Sequence, residues 1–208
     1  MLLYYPFRWK DLPEPKHFLM VPNAEHSLAT GILEVVPVVG TWILHLLKKT
    51  PIPTFKWDIS ETNGDIKVVL DPKVGEPLHV NLWTANTCSA VARRDYRFLT
   101  ADNPCECGVY AQGTCLNTKV GWSQTRLSPT HIGGFTYVGH VEPPTEKNKW
   151  VASFIDVTYK QDPSLSRPDG GLPFTKPGHL EFTSEVSIWP REFPFDDCSG
   201  VGCYGTLV

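Results

Sequence analysis

The sequence predicts a chain in two parts: the end of an α/β unit, followed by a mainly antiparallel β-sandwich. The α/β part is indicated by HFLMVPNAEHSLATGILEVVPVVGTWILHLLKK at residues 17–49, where a short apolar run, a turn and a long apolar segment follow one another. The sandwich is indicated by short apolar runs that alternate with turn residues beyond residue 54. The composition, with 7 Trp, 7 Tyr, 10 Phe, 19 Pro and 16 Gly, is typical of β-structure with many turns.

Size and charge limit the classes of function. The 208 residues allow one domain or two small ones, and 41% hydrophobic with 20% charged residues suits a chain that buries a core. The net charge of −3 provides no basic surface, so we expect no nucleic-acid partner. We also expect no cofactor.

The first part, residues 1–53, is organised around one histidine. His17–Val21 predicts a buried strand and Pro22-Asn23 a turn. His26 follows on a loop, and a helix is predicted over Leu28–Leu47, capped by Ser27 or by the asparagine of the turn. Such a loop presents an imidazole at the C-terminal edge of a sheet, where ligands bind in open α/β folds.

The predicted helix also has about the length of a membrane span. Glu34, Pro37 and His45 lie within it, and such residues are tolerated in a membrane only inside a packed bundle. We therefore expect a helix buried against a sheet and no membrane span. A β domain anchored in the membrane by this helix stays the alternative.

The second part, residues 54–208, predicts strands separated by turns. Asn63-Gly64 is the strongest hairpin signal, and the strand that ends at Tyr159 is the longest. Several short strands with turn signals between them indicate a β-sandwich. The predicted strands are Thr54–Ile59, Ile66–Leu70, Leu78–Ala85, Asp95–Thr100, Gly133–Val141, Trp150–Tyr159 and His179–Ile188.

The six cysteines are Cys88, Cys105, Cys107, Cys115, Cys198 and Cys203. An even number in loop-like sequence predicts disulfides. Cys198 with Cys203 closes a small loop, and Cys88 with one member of the 105–115 group is the first other pairing to try. Zinc bound by that group and His131 is the alternative, which the C-x-C spacing disfavours.

The cysteines and the start of the chain point in different directions. Disulfides indicate an oxidising compartment. The start MLLYYPFRWK is interrupted by Pro6 and Arg8 and does not have the features of a signal peptide. We therefore expect the C-terminal part of a longer, secreted protein, or the product of an internal start.

Four motifs occur together in this chain: VPNAEHSL at residues 21–28, WTANTCSAVARRDYRF at 83–98, WVASFIDVTY at 150–159 and LEFTSEVSIWPREFPFDDCSGVGC at 180–203. In combination they resemble the PhoPQ-activated pathogenicity-related proteins, a family that includes autocrine proliferation repressors. The resemblance covers nearly the whole chain and concerns the C-terminal part of the family proteins. It implies an α/β-hydrolase-like region that ends within residues 1–53, followed by a C-terminal β domain.

The resemblance makes His26 the candidate base of a catalytic triad. In α/β-hydrolases the serine and the acid precede this histidine, and no G-x-S-x-G motif occurs here. We therefore expect this chain alone to be inactive and both partners to belong to the missing N-terminal hydrolase-like region. Alternatively, His26 only tethers the helix; Glu25 and Ser27 are interpreted as a helix-terminal charge and a cap.

Arg93, Arg94, Asp95 and Arg97 form the densest charge cluster. They indicate either an anion-binding patch or an ion pair at the domain junction. A ligand-stacking surface made by the tryptophans stays a further alternative. By resemblance, we expect an extracellular protein that acts by binding a cell-surface or other protein partner. The alternative is a part of a secreted α/β-hydrolase-type serine hydrolase.

Overall fold

The computed structural model describes residues 11–24, 29–88, 94–101, 103–162, 165 and 178–192. In these ranges the chain forms one α-helix and eleven strands. They are α1 (Ile32–Lys48), β1 (Phe55–Ile59), β2 (Ile66–Leu70), β3 (His79–Asn86), β4 (Leu99–Thr100), β5 (Val109–Ala111), β6 (Thr114–Leu116), β7 (Ser123–Arg126), β8 (Thr136–Gly139), β9 (Val151–Lys160), β10 (His179–Thr183) and β11 (Ser187–Trp189).

The strands form three sheets, and every pairing between them is antiparallel. One sheet has the order β1-β2-β8 and a second the order β10-β9-β3-β7, with β11 also paired to β9. A small third sheet has the order β4-β6-β5. The first two sheets share a hydrophobic core, which is the arrangement of a β-sandwich. The mainly antiparallel β-sandwich is thereby confirmed.

The core is built by alternation along the strands. In β2, Ile66, Val68 and Leu70 are buried while the residues between them face solvent. They pack with buried residues of the second sheet, such as Ile155 of β9 and Leu180 of β10. Complete burial of an aliphatic side chain contributes about 1.5–3 kcal/mol, so this layer is the main source of stability.

The hairpin between β1 and β2 is confirmed. Its turn contains Asn63 and Gly64, and Gly64 has φ 77°, a conformation that side chains with a Cβ rarely adopt. A Cβ at Gly64 would also lie only 2.9 Å from the ring of Trp189. Both the backbone angle and the close packing therefore require glycine.

Strand β9 is the centre of the second sheet because it pairs with β3, β10 and β11. All its residues except Lys160 are buried, so its two faces are both covered. Ile155 and its neighbours on one face lie in the sandwich core, whereas Phe154 and Asp156 lie on the other face. This second face carries the polar groups of the candidate site.

Several predicted elements differ from the structure. The strand predicted over His179–Ile188 is divided into β10 and β11, and the one predicted over Gly133–Val141 is shortened to β8. His17–Val21 is not a strand, although Thr183 N–H donates to the Phe18 carbonyl at 2.7 Å and the segment lies beside the end of β10. The helix begins at Ile32 rather than Leu28 and has no side-chain cap at its N-terminus. The strand predicted over Asp95–Thr100 is reduced to its last two residues, because the carboxylate of Asp95 holds Arg97 in a local turn.

Candidate interface and buried acidic cluster

Helix α1 contacts β10, and the side of the helix that faces the sandwich is partly polar. Thr41 and His45 are only 3% and 4% exposed. The ring Nδ1 of His45 lies 2.9 Å from the Pro51 carbonyl oxygen, so the imidazole ties the helix to the segment that follows it. Trp42 completes this side by packing against the hydrophobic core.

The opposite side of α1 is apolar and exposed. At about 100° per residue, its apolar positions fall within one stripe of the helix surface. Leu33 and Leu47, near the two ends, are 80% and 72% exposed. The seven exposed apolar residues, called the α1 outer face below, are Ile32, Leu33, Val36, Val39, Ile43, Leu46 and Leu47.

Beneath the helix, Asp156 of β9 is buried in a defined hydrogen-bond network. Its Oδ1 accepts from the Asn81 backbone N–H at 3.1 Å and from the Asn81 side-chain amide at 2.7 Å. Its Oδ2 accepts from Trp83 Nε1 at 2.8 Å. Burial raises the pKa of Asp156 to about 6, because the cost of desolvating the charge exceeds the stabilisation from these donors.

Glu34 of α1 and Glu181 of β10 add to the negative charge around Asp156. Burial, together with the charges of Glu181 and Asp156, raises the pKa of Glu34 to about 7. His179 opposes this effect; its Nε2 lies 3.6 Å from a carboxylate oxygen of Glu181. These four residues, one on the helix and three on the strands, form the acidic cluster.

Two carboxyl groups that titrate near neutrality are the type of pair that serves acid–base chemistry. Here the oxygens of Asp156 are occupied by Asn81 and Trp83, and Glu34 is partly buried on α1, which contacts β10. Within the described ranges, no group of three or more His, Cys, Asp or Glu side chains is arranged to hold a metal ion. The acidic cluster therefore affects the packing of α1 against the sheet.

Sequence reasoning missed this cluster. In the sequence, Glu34 is interpreted only as a residue that disfavours a membrane span. The available signal was Asp156 within the apolar run WVASFIDVTY, together with Asn81 within LHVNLWTA. A single acid in a central strand requires partners, but their identity depends on the pairing of β3 with β9, which aligns Asn81 with Asp156.

His26 lies outside the described residues, as do Glu25 and Ser27. The chain on both sides of them is fixed. Asn23 Nδ2 donates to the Trp122 carbonyl at 3.0 Å, and Trp122 N–H donates to Asn23 Oδ1 at 2.8 Å. Thr30 Oγ1 lies 3.4 Å from the Asn23 carbonyl oxygen. Asn23 therefore ties the end of its described segment to the β domain, and it does not cap α1.

The arginine cluster divides into separate contacts. Arg97 donates through Nε to Asp95 Oδ1 at 2.9 Å and through its terminal nitrogen to Oδ2 at 2.7 Å, a two-bond ion pair. Arg94 donates to the Glu192 carbonyl, and its guanidinium lies 5.8 Å from the centre of the Trp150 ring. Arg93 lies outside the described residues. The described arginines are thus engaged in contacts within the β domain.

The cysteine region contains one disulfide, between Cys105 and Cys115, with the Cα atoms 5.2 Å apart. This pairing leaves zinc without two of its proposed ligands. Cys88, the first expected partner of this group, is a free thiol, and so is Cys107. Cys198 and Cys203 lie outside the described residues, so the pairing expected between them stays a prediction.

The tryptophans on the outer side of β9 pack on their neighbours. Phe154 stacks with Trp83, with ring centres 6.3 Å apart, and meets Trp122 edge-on at 5.0 Å. Tyr96 stacks in turn with Trp122 at 6.4 Å. These rings therefore form a connected layer over the second face of β9.

In the part of the chain that the structure describes, no helix is long and apolar enough to cross a membrane. Helix α1 has 17 residues, and Pro37 and Glu34 are in its first half.

Comparison with known proteins agrees with the four motifs. Residues 4–97 match the family model of the PhoPQ-activated pathogenicity-related protein. The Autocrine proliferation repressor protein A of Dictyostelium discoideum is 31% identical in an alignment of 206 positions that covers 96% of this chain and 37% of that relative. No solved structure matches the chain. The resemblance inferred from the motifs is confirmed: the chain is similar to the PhoPQ-activated pathogenicity-related protein family over residues 4–97 and to this relative over most of its length.

Proposed function

We propose that this chain is a protein-binding part of an extracellular protein of the proliferation-repressor type, and that α1 is its docking element. The observation that carries the proposal is the α1 outer face. A helix that packs on a single neighbour turns its apolar side inward. Here the fully buried side chains of α1 are Val38, Thr41 and His45, whereas seven apolar side chains face outward, and an exposed patch of this kind is typical of an interface.

The occupant that we propose for this face is the α/β-hydrolase-like region implied by the family resemblance. The lengths support it, because the chain spans 37% of the length of the Dictyostelium relative. Residues 1–53, which the resemblance assigns to the end of that region, contain α1. A helix on the surface of an α/β sheet presents its apolar side to the sheet, as the outer face is able to do.

Burial of the α1 outer face would favour docking. Burying the exposed part of a Leu, Ile or Val side chain contributes about 1 kcal/mol. Seven such residues together provide more than about 5 kcal/mol before the entropic costs of association. A charge placed in the middle of the face would cancel much of this gain, because it would lose its hydration on docking.

Ile43 provides the test, because it is 44% exposed and lies in the middle of the face. The full chain is expressed together with the part of the Dictyostelium relative that it does not align with, as a separate polypeptide, and the dissociation constant is measured. We expect Ile43→Glu to weaken binding at least tenfold without lowering the melting temperature. Lys48→Glu, a charge change at an exposed position off the outer face, is the matched control. Equal affinity of wild type and Ile43→Glu, or no binding by the wild type, would contradict the proposal.

The second candidate function is that of a serine hydrolase completed by the same docking. It is favoured by the position of His26, which precedes the start of α1 by six residues and follows Asn23, a residue hydrogen-bonded to Trp122, by three. Its test is ester hydrolysis by the assembled complex, compared with the chain alone. Activity that appears only in the complex and is lost in His26→Ala supports it. An inactive complex, or full activity in His26→Ala, leaves only the binding function.

A cell-surface partner is the further part of the binding proposal. It is supported by the name of the relative, a repressor of proliferation, and by the disulfide, which is typical of proteins outside the cytosol. Saturable binding of the labelled chain, produced in an oxidising compartment, to intact cells is the expected result. Binding that increases linearly with concentration and does not saturate would contradict a specific surface partner.

A further inference from the structure

Two thiols meet where the second sheet adjoins the small third sheet. Cys88 lies two residues beyond the end of β3 and is partly exposed. Cys107 lies between β4 and β5 and is buried. The two side chains share a hydrogen bond, so the sulfur atoms are neighbours although 19 positions separate them in the sequence.

The backbone on each side of this contact is held by independent bonds. The Cys88 carbonyl accepts from Lys149 Nζ at 2.6 Å. Thr87 and Trp150 exchange two hydrogen bonds of 2.8 and 2.9 Å, which fix the residue before Cys88. On the other side, the Cys107 carbonyl accepts from the Lys119 N–H at 3.0 Å.

The position of Cys107 is fixed a second time by the disulfide of Cys105, two residues earlier. The neighbouring Gly108 has no space for a side chain, because a Cβ there would lie 1.8 Å from the Leu116 carbonyl oxygen. The two thiols therefore lie close together because the backbone on each side is held in place. A disulfide requires such an approach of the two chains.

We propose that Cys88 and Cys107 are a second disulfide site, which closes in an oxidising compartment and ties the end of β3 to the third sheet. A suitable oxidant is a small disulfide such as glutathione disulfide. The Cys88 thiolate attacks one of its sulfurs, and the first glutathione leaves as a thiolate that takes up the proton lost by Cys88. The Cys107 thiol then gives up its proton and attacks Cys88 Sγ, which releases the second glutathione. Two protein thiols are oxidised and one glutathione disulfide is reduced to two glutathione molecules.

The order of attack follows from burial. Burial, followed by the hydrogen bond with Cys88, raises the pKa of Cys107 to about 12, so this thiol is protonated in solution. Cys88 is the more exposed of the two and is therefore the one that meets the oxidant first. The resulting loop encloses Arg94, Asp95 and Arg97, so closure would also limit the motion of the arginine cluster.

Disulfide mapping of the unaltered full chain tests the pairing directly. The protein is equilibrated with glutathione disulfide, the remaining thiols are alkylated, and it is digested with trypsin and with a protease that cleaves after glutamate. Cleavage after Glu106 separates Cys105 from Cys107. We expect one assembly of three peptides, 74–93, 98–106 and 107–119, whose fragmentation shows bonds from Cys88 to Cys107 and from Cys105 to Cys115. An alkylated Cys88, or a bond from Cys88 to Cys198 or Cys203, would overturn the proposal.

Variants provide a second measurement. Under oxidising conditions Cys88→Ser, Cys107→Ser and the double variant should each lower the melting temperature by the same several degrees, because one bond is lost in all three. Under reducing conditions the effect of Cys88→Ser should largely disappear. Effects of the two single variants that add in the double variant would show that the thiols act independently and would also overturn the proposal.

Discussion

The change Glu34→Gln tests whether the acidic cluster destabilises the fold at neutral pH. The folded protein keeps the Glu34 proton up to about pH 7, whereas the ordinary pKa of a glutamate in an unfolded chain is 4.5. Stability from this group is therefore complete below pH 4.5 and is lost as the pH rises to about 7. Glutamine has nearly the same shape and does not titrate, so it should remove this loss.

The magnitude follows from the two pKa values. A difference of 2.5 units between 4.5 and about 7 corresponds to about 3.4 kcal/mol at 1.36 kcal/mol per unit. Glu34 is only partly buried, and screening by solvent reduces this to roughly 1–2 kcal/mol. Asp156 on β9 and Glu181 and His179 on β10 face the same group, so the wild type also carries their contributions to its pH dependence. For this reason the variant is compared with the wild type at each pH.

The assay is urea unfolding of the full chain at about pH 4.5 and pH 8. We expect Glu34→Gln to be more stable than the wild type by roughly 1–2 kcal/mol at the higher pH and equal to it within error at the lower pH. Glu142→Gln, at an exposed position away from the helix, is the control and should change neither value. An equal gain at both pH values, or no gain at pH 8, would refute the assignment of the loss to Glu34.

Three further changes test the core, the disulfide and the loop anchor. Leu180→Ala should lower the free energy of unfolding by about 2–5 kcal/mol. Leu78, 47% exposed, is the control, and Leu78→Ala should lower it by less than about 1 kcal/mol. Similar losses for the two variants in denaturant unfolding would contradict the assignment of Leu180 to the core. Replacing Cys105 and Cys115 together by Ser should lower the free energy of unfolding by about 2–3 kcal/mol, because the disulfide closes a loop with a sequence separation of 10. The difference should vanish when the variant is compared with the reduced wild type. Asn23→Ala should lower the free energy of unfolding by about 1–2 kcal/mol and speed hydrogen exchange at the backbone amide of Trp122. Unchanged exchange at Trp122 would count against the anchor.

Strands set by local alternation could be predicted from the sequence. Ile66–Leu70 has the predicted bounds, and the strand predicted at Trp150–Tyr159 is displaced by one residue to Val151–Lys160. In both, β-branched and aromatic residues dominate, and the positions that must be buried are visible in the sequence. Asn63-Gly64 identified the hairpin because the turn needs a positive φ.

Elements that depend on distant partners could not be predicted. The strand expected over Asp95–Thr100 is shortened by the Asp95–Arg97 ion pair, in which side chains satisfy groups that a strand would have paired. The acidic cluster joins Glu34 to Asp156 across more than a hundred residues. The apolar and polar sides of α1 were visible as a pattern, but only the contact with β10 determines which side faces the sandwich.

The two unusual properties of α1 have one explanation if the helix is an interface. A helix selected only for the stability of this chain would bury its apolar stripe and keep Glu34 in water. Instead the stripe is exposed, and Glu34 lies beside Asp156 and Glu181 at a cost in stability near neutral pH. Proteins commonly retain such costs where a surface serves a contact outside the domain. If the two sides of α1 were exchanged, the isolated chain would be more stable but would no longer present the outer face. The orientation of α1 is therefore best understood as a requirement of docking.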